Sequence, residues 1–213
     1  MNQKLLTLAL PKGRLLTPAL DLLKRTGVNG IDESSRRLIF DDPERGLRVL
    51  ILKPADVPSY VEYGAADLGI VGKDILLEQE PDVYEPLDLK FGFCRLVVAE
   101  PEELWRVDDP AKWSWVRVAT KYPNLTERYF SERGIQVEII RLDGSIELAP
   151  LVGLADRIVD LVQSGETLRA NGLVEVAEIV QSTARLIVNR ASLKTAYGPV
   201  SAWIEAMKRE VGR

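Results

Sequence analysis

The chain has no histidine in its 213 residues. That absence removes the imidazole general base, the Ser-His-Asp triad and every histidine-ligated metal centre. Any catalysis must rest on carboxylates, lysines, arginines, backbone dipoles or a metal delivered with a substrate. Cysteine is nearly absent as well. Cys94 stands alone, so there is no disulfide framework and no cysteine-type zinc site. No apolar run approaches the roughly 18 residues a membrane span needs. The opening MNQKLLTLALPKGR lacks a small-residue cleavage site and reads as a first core strand rather than a signal peptide. A cytoplasmic location away from any membrane is expected. Nor is there a basic excess: the formal net charge of -4 argues against a nucleic-acid binder, while local Lys and Arg clusters leave anionic small ligands open.

What is present is an alternation of strand and helix patterns. Lys4 to Leu10 reads as a strand running into Pro11-Lys12-Gly13-Arg14. A helix follows, with Thr17 as its cap, Pro18 in its first turn and Gly27 past its end. Leu47 to Lys53 (LRVLILK) is a nearly continuous apolar strand, as in a buried parallel sheet. Asp56 or Ala55 opens a short helix closed by Gly64. Asp67 to Val71 is a further strand, and Gly72-Lys73-Asp74 leads into a helix through Leu77.

A second series starts with strand Phe93 to Ala99 and a charged, Trp-bearing connection to Trp115. Strand Val116 to Ala119, helix Asn124 to Arg133 and strand Gln136 to Leu142 come next. The strand-like tract Glu175 to Asn189 and a terminal helix, Ala191 to Val211, divided at Pro199, complete the chain. The pattern predicts an α/β fold of two lobes with mostly parallel sheets and ligands in the cleft at the carboxyl ends of strands. Residues 1–92 with 178–213 form the first lobe and 93–177 the second. Neither an internal repeat nor a low-complexity segment is visible.

Two constellations carry chemistry. The apolar run RIVDLV, 157–162, empties into Ser164-Gly165-Glu166-Thr167 and then a helical pattern, TLRAN. A strand that turns through a small, hydroxyl-rich loop into a helix makes an anion cradle, because loop amides and helix N-terminus present positive ends to one spot. An ordinary tight turn fits the same four residues. Glu166 is the awkward member, since a carboxylate beside a phosphate is repelled; its side chain must point outward. Asp156 and Asp160, four apart, offer acceptors for adjacent sugar hydroxyls, so phosphate plus diol suggests a ribose 5-phosphate group; ion pairs with Arg157 or Arg169 are the plainer alternative. The second constellation is basic. Lys12 and Arg14 follow the first strand, Arg36 and Arg37 lie in SSRRL, Lys53 ends its strand and Lys73 follows the next. Lys12, Lys53 and Lys73 all come directly after strand ends, where a parallel sheet gathers ligand contacts. They form either a shared anion site or a solvated surface. The tryptophans of the connection, with Phe91 and Phe93, read as packing residues.

Longer motifs add to this. PKGRL at 11–15, ADVPSYVEYGAADLGIVGKD at 55–74, RVATKYPN at 117–124 and GSIELAPLVGLADRIVDLVQSGETL at 144–168 together resemble the ATP phosphoribosyltransferases, in their short form. The resemblance runs nearly end to end. It implies a fold of the periplasmic-binding-protein type II kind with its active site in the interlobe cleft. It also implies attack by N1 of ATP on the anomeric carbon of phosphoribosyl pyrophosphate, the first step of histidine biosynthesis, with magnesium on the leaving pyrophosphate. By resemblance, Glu147, Asp156, Asp160, Ser164, Gly165, Glu166, Thr167 and Leu168 bind phosphoribosyl pyrophosphate. Lys12, Arg14, Lys53 and Lys73 bind ATP or pyrophosphate, and Lys12, Arg36 and Lys53 act in catalysis. Lys53 stands where many members carry Arg, and a lysine acts there as a point charge. The long form carries a C-terminal regulatory domain. This chain, ending at Arg213, is similar instead to the form that works with a separate regulatory subunit related to histidyl-tRNA synthetase, as a homodimer within a larger hetero-oligomer. A non-catalytic anion-binding module of the same lobed architecture is the competing expectation.

Overall fold

A computed structural model of the chain describes residues 5–33 and 35–211. In chain order the elements are β1 (Leu6–Pro11), α1 (Leu16–Arg25), β2 (Ile39–Asp42), β3 (Leu47–Leu52), α2 (Val57–Glu62), β4 (Leu68–Gly72), α3 (Lys73–Gln79), β5 (Tyr84–Asp88), β6 (Cys94–Pro101) and α4 (Glu102–Trp105). There follow β7 (Trp115–Thr120), α5 (Pro123–Ser131), β8 (Gln136–Arg141), α6 (Leu148–Leu151), β9 (Arg157–Val162), α7 (Glu166–Ala170), β10 (Leu173–Ser182), β11 (Ala184–Val188), α8 (Arg190–Thr195) and α9 (Tyr197–Val211). The predicted elements are therefore present within a residue or two of their expected bounds, except that Lys4 lies outside the described residues.

The chain divides into two compact units: residues 1–76, 80–92 and 183–213, and residues 77–79 and 93–182. The return to the first unit falls at Thr183, later than the expected 178, because β10 stays on its ladder with β6 as far as Ser182 beside Cys94. For the same reason the tract 175–189 is two strands. β11 starts one residue after Thr183, pairing with β4 from Ala184 opposite Gly72.

Among the described residues the first unit holds a six-stranded sheet, β2-β3-β1-β4-β11-β5, and the second a five-stranded one, β10-β6-β9-β7-β8. Both are mixed. The expected parallel pairing is confined to their centres, where β1 pairs with β3 and β4, and β7 with β8 and β9. Antiparallel strands extend each centre, since a hairpin or a returning strand needs no crossover helix. The segments 3-1-4-11 and 8-7-9-6 have the same form, so the topology repeats although the sequence does not. Strands β2 (IFDD) and β5 (YEPLD) escaped the sequence reading; they are short, charged or proline-bearing edge strands, which blunt a sheet edge and carry little apolar signal.

Each unit is held by its own apolar interior. In the first, α1 buries Leu16, Ala19, Leu20 and Leu23 on one helical face against Leu8, Leu10 and Val49 of the sheet. Its start differs from expectation: Leu15 occupies the cap position with no side-chain cap, and the Thr17 hydroxyl, one residue inside the helix, donates to Glu33 Oε1 at 2.7 Å. Gly27, at φ +92°, ends the helix as predicted. The terminal helix is interrupted at Ala196 rather than at Pro199, which sits in the first turn of α9, where a missing N–H costs nothing. In the second unit, fully buried Phe130 meets Tyr129 edge-on at 5.2 Å and Trp113 at 6.1 Å. Arg157, at the start of β9, pairs with buried Glu100 at 2.8 Å and also with Asp108, under the Trp113 ring. Trp105 and Trp115 are half exposed.

The first unit is closed by one amide. Asn189 Nδ2 donates to the carbonyls of Val61 at 2.8 Å and Glu62 at 3.1 Å, and Oδ1 accepts from Ser192 N–H at 2.8 Å. One side chain thus caps α8 and satisfies the end of α2. Asn189→Ala orphans these buried groups, and a loss of about 2 kcal/mol in urea unfolding is expected. An unchanged unfolding midpoint would contradict this assignment.

Candidate active site

The parallel centre of the first sheet decides where its cations go. β3, β1 and β4 are neighbours running the same way, so Lys53, Lys12 and Lys73, each just past a strand end, leave the sheet along one edge. Arg36 approaches that edge from β2, since β2 runs antiparallel to β3 and the Leu38 carbonyl accepts from Ile51 N–H at 2.9 Å. Lys12, Arg36 and Lys53 are exposed. Lys73 is half-buried and its ammonium donates to Glu85 Oε2 at 2.7 Å, so its charge is partly matched within the unit. Arg14 donates to the Gly92 carbonyl at 2.6 Å, which ties the turn after β1 to the segment after β5.

The second sheet repeats the arrangement with different chemistry. β8, β7 and β9 release at their carboxyl ends the segment leading to Glu147, then Lys121, and then the loop 163–165. Near that end Asp160 is largely buried; burial foremost, and then the charge of Glu147, pushes its carboxyl up to about 6 against the Leu161 N–H and Lys121, which favour the ionised form. Two carboxylates and a lysine therefore share this end of the sheet. The sequence reading passed over Lys121, although it follows a strand end just as Lys12, Lys53 and Lys73 do and its charge acts on Asp160.

Asp156 is a correction. It precedes the first residue of β9, with its N–H on the Arg117 carbonyl at 3.0 Å and its carboxylate 3.5 Å from Arg117 Nη2. The strand's length separates it from the loop, because residues four apart on a strand face the same way but stand about 13 Å distant. Its ion-pair partner is Arg117, not the expected Arg157 or Arg169.

The loop is built as the pattern implied. Gly165 adopts φ +76°, a conformation that an L side chain resists. Ser164 Oγ accepts weakly from Glu166 N–H at 3.4 Å, and α7 begins at Glu166. Glu166 is exposed, in keeping with the outward side chain the phosphate reading requires, and Thr167 is exposed beside it. Leu168 is buried in the unit's core with Val162 and Leu173, so its side chain anchors the helix and only its amide is available. One unit thus presents a row of strand-end cations, and the other an anchored turn of hydroxyls and amides with two half-buried carboxyls near it, an arrangement suited to phosphorylated ligands.

The comparisons narrow that class. The family model for ATP phosphoribosyltransferase matches residues 53–209. Curated ATP phosphoribosyltransferases from Syntrophotalea carbinolica and Geobacter metallireducens are 61% and 60% identical, covering 96% and 97% of this chain and 94% and 98% of theirs. The solved ATP phosphoribosyl transferase (HisG:HisZ) complex from Thermotoga maritima contains a chain of similar fold, with a TM-score of 0.84 and 36% identity over 98% of this chain and 99% of that one. The alkanesulfonate-binding protein SsuA from Xanthomonas axonopodis pv. citri, at 13% identity and a TM-score of 0.61 over 99% of this chain and 74% of its own, shares the fold alone. The chain belongs to the ATP phosphoribosyltransferase family. Its reaction is the transfer of a phosphoribosyl group to ATP that opens histidine biosynthesis, and the non-catalytic module is set aside.

A carboxyl raised by burial makes a signed prediction. Above pH 6 the folded protein holds Asp160 as an unfavourable buried anion, a cost the unfolded chain does not bear; as pH falls from about 6 toward 4 the folded form takes up the proton first and the cost vanishes. Asp160→Asn is therefore expected to raise the thermal midpoint of the ligand-free protein at pH 8, with the gain fading below pH 6. A midpoint lowered at pH 8 would contradict the cause assigned.

Proposed function

We propose that the loop 163–168 holds the 5-phosphate of phosphoribosyl pyrophosphate, while Glu147 and Asp160 accept hydrogen bonds from the ribose hydroxyls. Lys12, Arg36 and Lys53 neutralise the ATP and pyrophosphate groups, with Lys73 and Arg14 supporting them. The observation that carries this reading is the contrast between the two carboxyl-terminal sheet edges: one is a row of cations, the other a hydroxyl and amide turn beside paired carboxylates.

The chemistry suits these residues. N1 of adenine has a lone pair and no proton, so its attack needs no base and the lack of histidine is no handicap. As the new bond from N1 to the anomeric carbon forms, the bond from that carbon to pyrophosphate breaks, and its electron pair leaves on the pyrophosphate oxygen. Positive charge grows on the sugar carbon, where Glu147 and Asp160 stabilise it. Negative charge grows on the leaving group, where fixed lysines and Arg36 meet it without reorganisation. Each charge-assisted bond contributes about 1.5–3 kcal/mol when well aligned. Alignment of two substrates supplies the rest.

Magnesium belongs to the proposal as a passenger on the pyrophosphate. An ion held on phosphate oxygens needs only one or two protein carboxylates. When bound, it screens the leaving group's charge. The remaining parts rest on kinship: a homodimer working with a regulatory subunit similar to histidyl-tRNA synthetase, in keeping with the two-component complex solved from Thermotoga maritima, and a cytoplasmic setting, with no helix among the described residues long and apolar enough to cross a membrane.

Incubation with ATP, phosphoribosyl pyrophosphate, magnesium and a pyrophosphatase, with the regulatory subunit present, is expected to yield phosphoribosyl-ATP by mass spectrometry. Thr167→Ala is expected to raise KM for phosphoribosyl pyrophosphate about tenfold, the loss of one hydrogen bond to a charged group, and to leave KM for ATP nearly unchanged. Equal weakening of both substrates would remove the phosphate from this loop.

A further inference from the structure

The ligand side of the loop is polar and open, and its other side rests on a charged framework that the transfer reaction does not itself use. Arg169, in the last turn of α7, reaches back so that Nη2 donates to the Ser164 carbonyl at 3.1 Å. A methyl group placed on Gly165 would lie 2.9 Å from Arg169 Nη1 and 3.2 Å from Glu175 Oε1. These two side chains therefore occupy the space directly against the Gly165 α-carbon. Glu175, on β10, is gripped by both terminal nitrogens of Arg95, Nη1 to Oε2 at 2.8 Å and Nη2 to Oε1 at 3.1 Å. Arg95, on β6, lies opposite Val162, the last residue of β9. Arg169 from α7 and Glu175 from β10 thus back the loop side by side, and Arg95 ties Glu175 to β6 opposite the end of β9.

The geometry of a peptide gives this arrangement a consequence. In a trans peptide the carbonyl and the following N–H point in opposite directions. An arginine that draws the Ser164 carbonyl to one side turns the Gly165 N–H to the other. We propose that Arg169 is a positioning residue for phosphoribosyl pyrophosphate: it turns the Ser164–Gly165 peptide so that its amide faces the 5-phosphate, while the Glu175–Arg95 pair fills the space behind Gly165. The proposal rests on the assignment of that phosphate to this loop. Gly165 is required at the same point for two reasons, its positive φ and the lack of space for a side chain between the peptide and the two charged groups.

The full chain is tested by calorimetric binding of ribose 5-phosphate and by KM for each substrate, with Thr167→Ala as the control for the loop. Arg169→Ala is expected to weaken ribose 5-phosphate binding about tenfold while KM for ATP stays within about twofold, a split that general loss of structure would not produce. Arg169→Lys is expected to recover part of the affinity, because one donor suffices to hold the carbonyl. Glu175→Gln decides the mode of action. If Arg169 acts through the peptide, loosening the Glu175–Arg95 pair that fills the space behind Gly165 weakens binding, by about threefold. If Arg169 instead meets the phosphate itself, removing a nearby negative charge tightens binding, and the proposal falls. It falls equally if Arg169→Ala leaves binding unchanged while Thr167→Ala weakens it. Should Thr167→Ala also have no effect, the loop assignment fails first, and the brace with it.

Discussion

Parallel hydrogen bonding on both sides of β1 and of β7 is the constraint from which the candidate site follows. A strand paired in parallel with two neighbours forces all three to end on the same edge, and whatever residue follows each end arrives there together. Lys12, Lys53 and Lys73 are gathered by that rule, as are Lys121, the turn leading to Glu147, and the loop after Val162. The two halves use one topology for opposite electrostatic ends. One edge collects cations, and the other combines amides and hydroxyls with carboxyls; the proposed function gives the first to polyphosphates and the second to a sugar phosphate.

That division costs stability locally. Asp160 is kept in a place where burial and Glu147 both resist its charge, and Gly165 holds a backbone conformation that few residues adopt. The structure around them is correspondingly firm. Leu168 is sunk in the core, β9 is hydrogen-bonded on both sides, and Arg169 grips the Ser164 carbonyl. A site without histidine depends on such fixed placement, because without an imidazole base it accelerates a displacement chiefly by alignment and by charges that need not move.

Much of this was legible in the residue pattern, and the failures have physical reasons. The apolar runs LTLALP, LRVLIL and RIVDLV became strands because continuous hydrophobicity marks a strand covered on both faces. The loop at 164–167 and the strand-end lysines were visible for the same reason. β2 and β5 were not, since edge strands are polar by necessity. The 175–189 tract read as one strand because sequence periodicity does not register a change of sheet. Asp156 was grouped with Asp160 by their equal facing, whereas strand rise sets the two about 13 Å apart and Asp156 beside Arg117. Arg169 and Glu175 carried no motif, because their significance lies in which carbonyl and which α-carbon they touch, and only the folded chain brings those together.

The assignment of the 5-phosphate to the loop after β9 is tested most directly by titrating ¹⁵N-labelled protein with ribose 5-phosphate and following the backbone amides. The largest shifts are expected at Gly165, Glu166, Thr167 and Leu168, with a smaller response at Leu161, whose N–H bonds Asp160. Shifts concentrated instead at Lys12, Gly13, Lys53 and Lys73, with the loop amides unmoved, would contradict it.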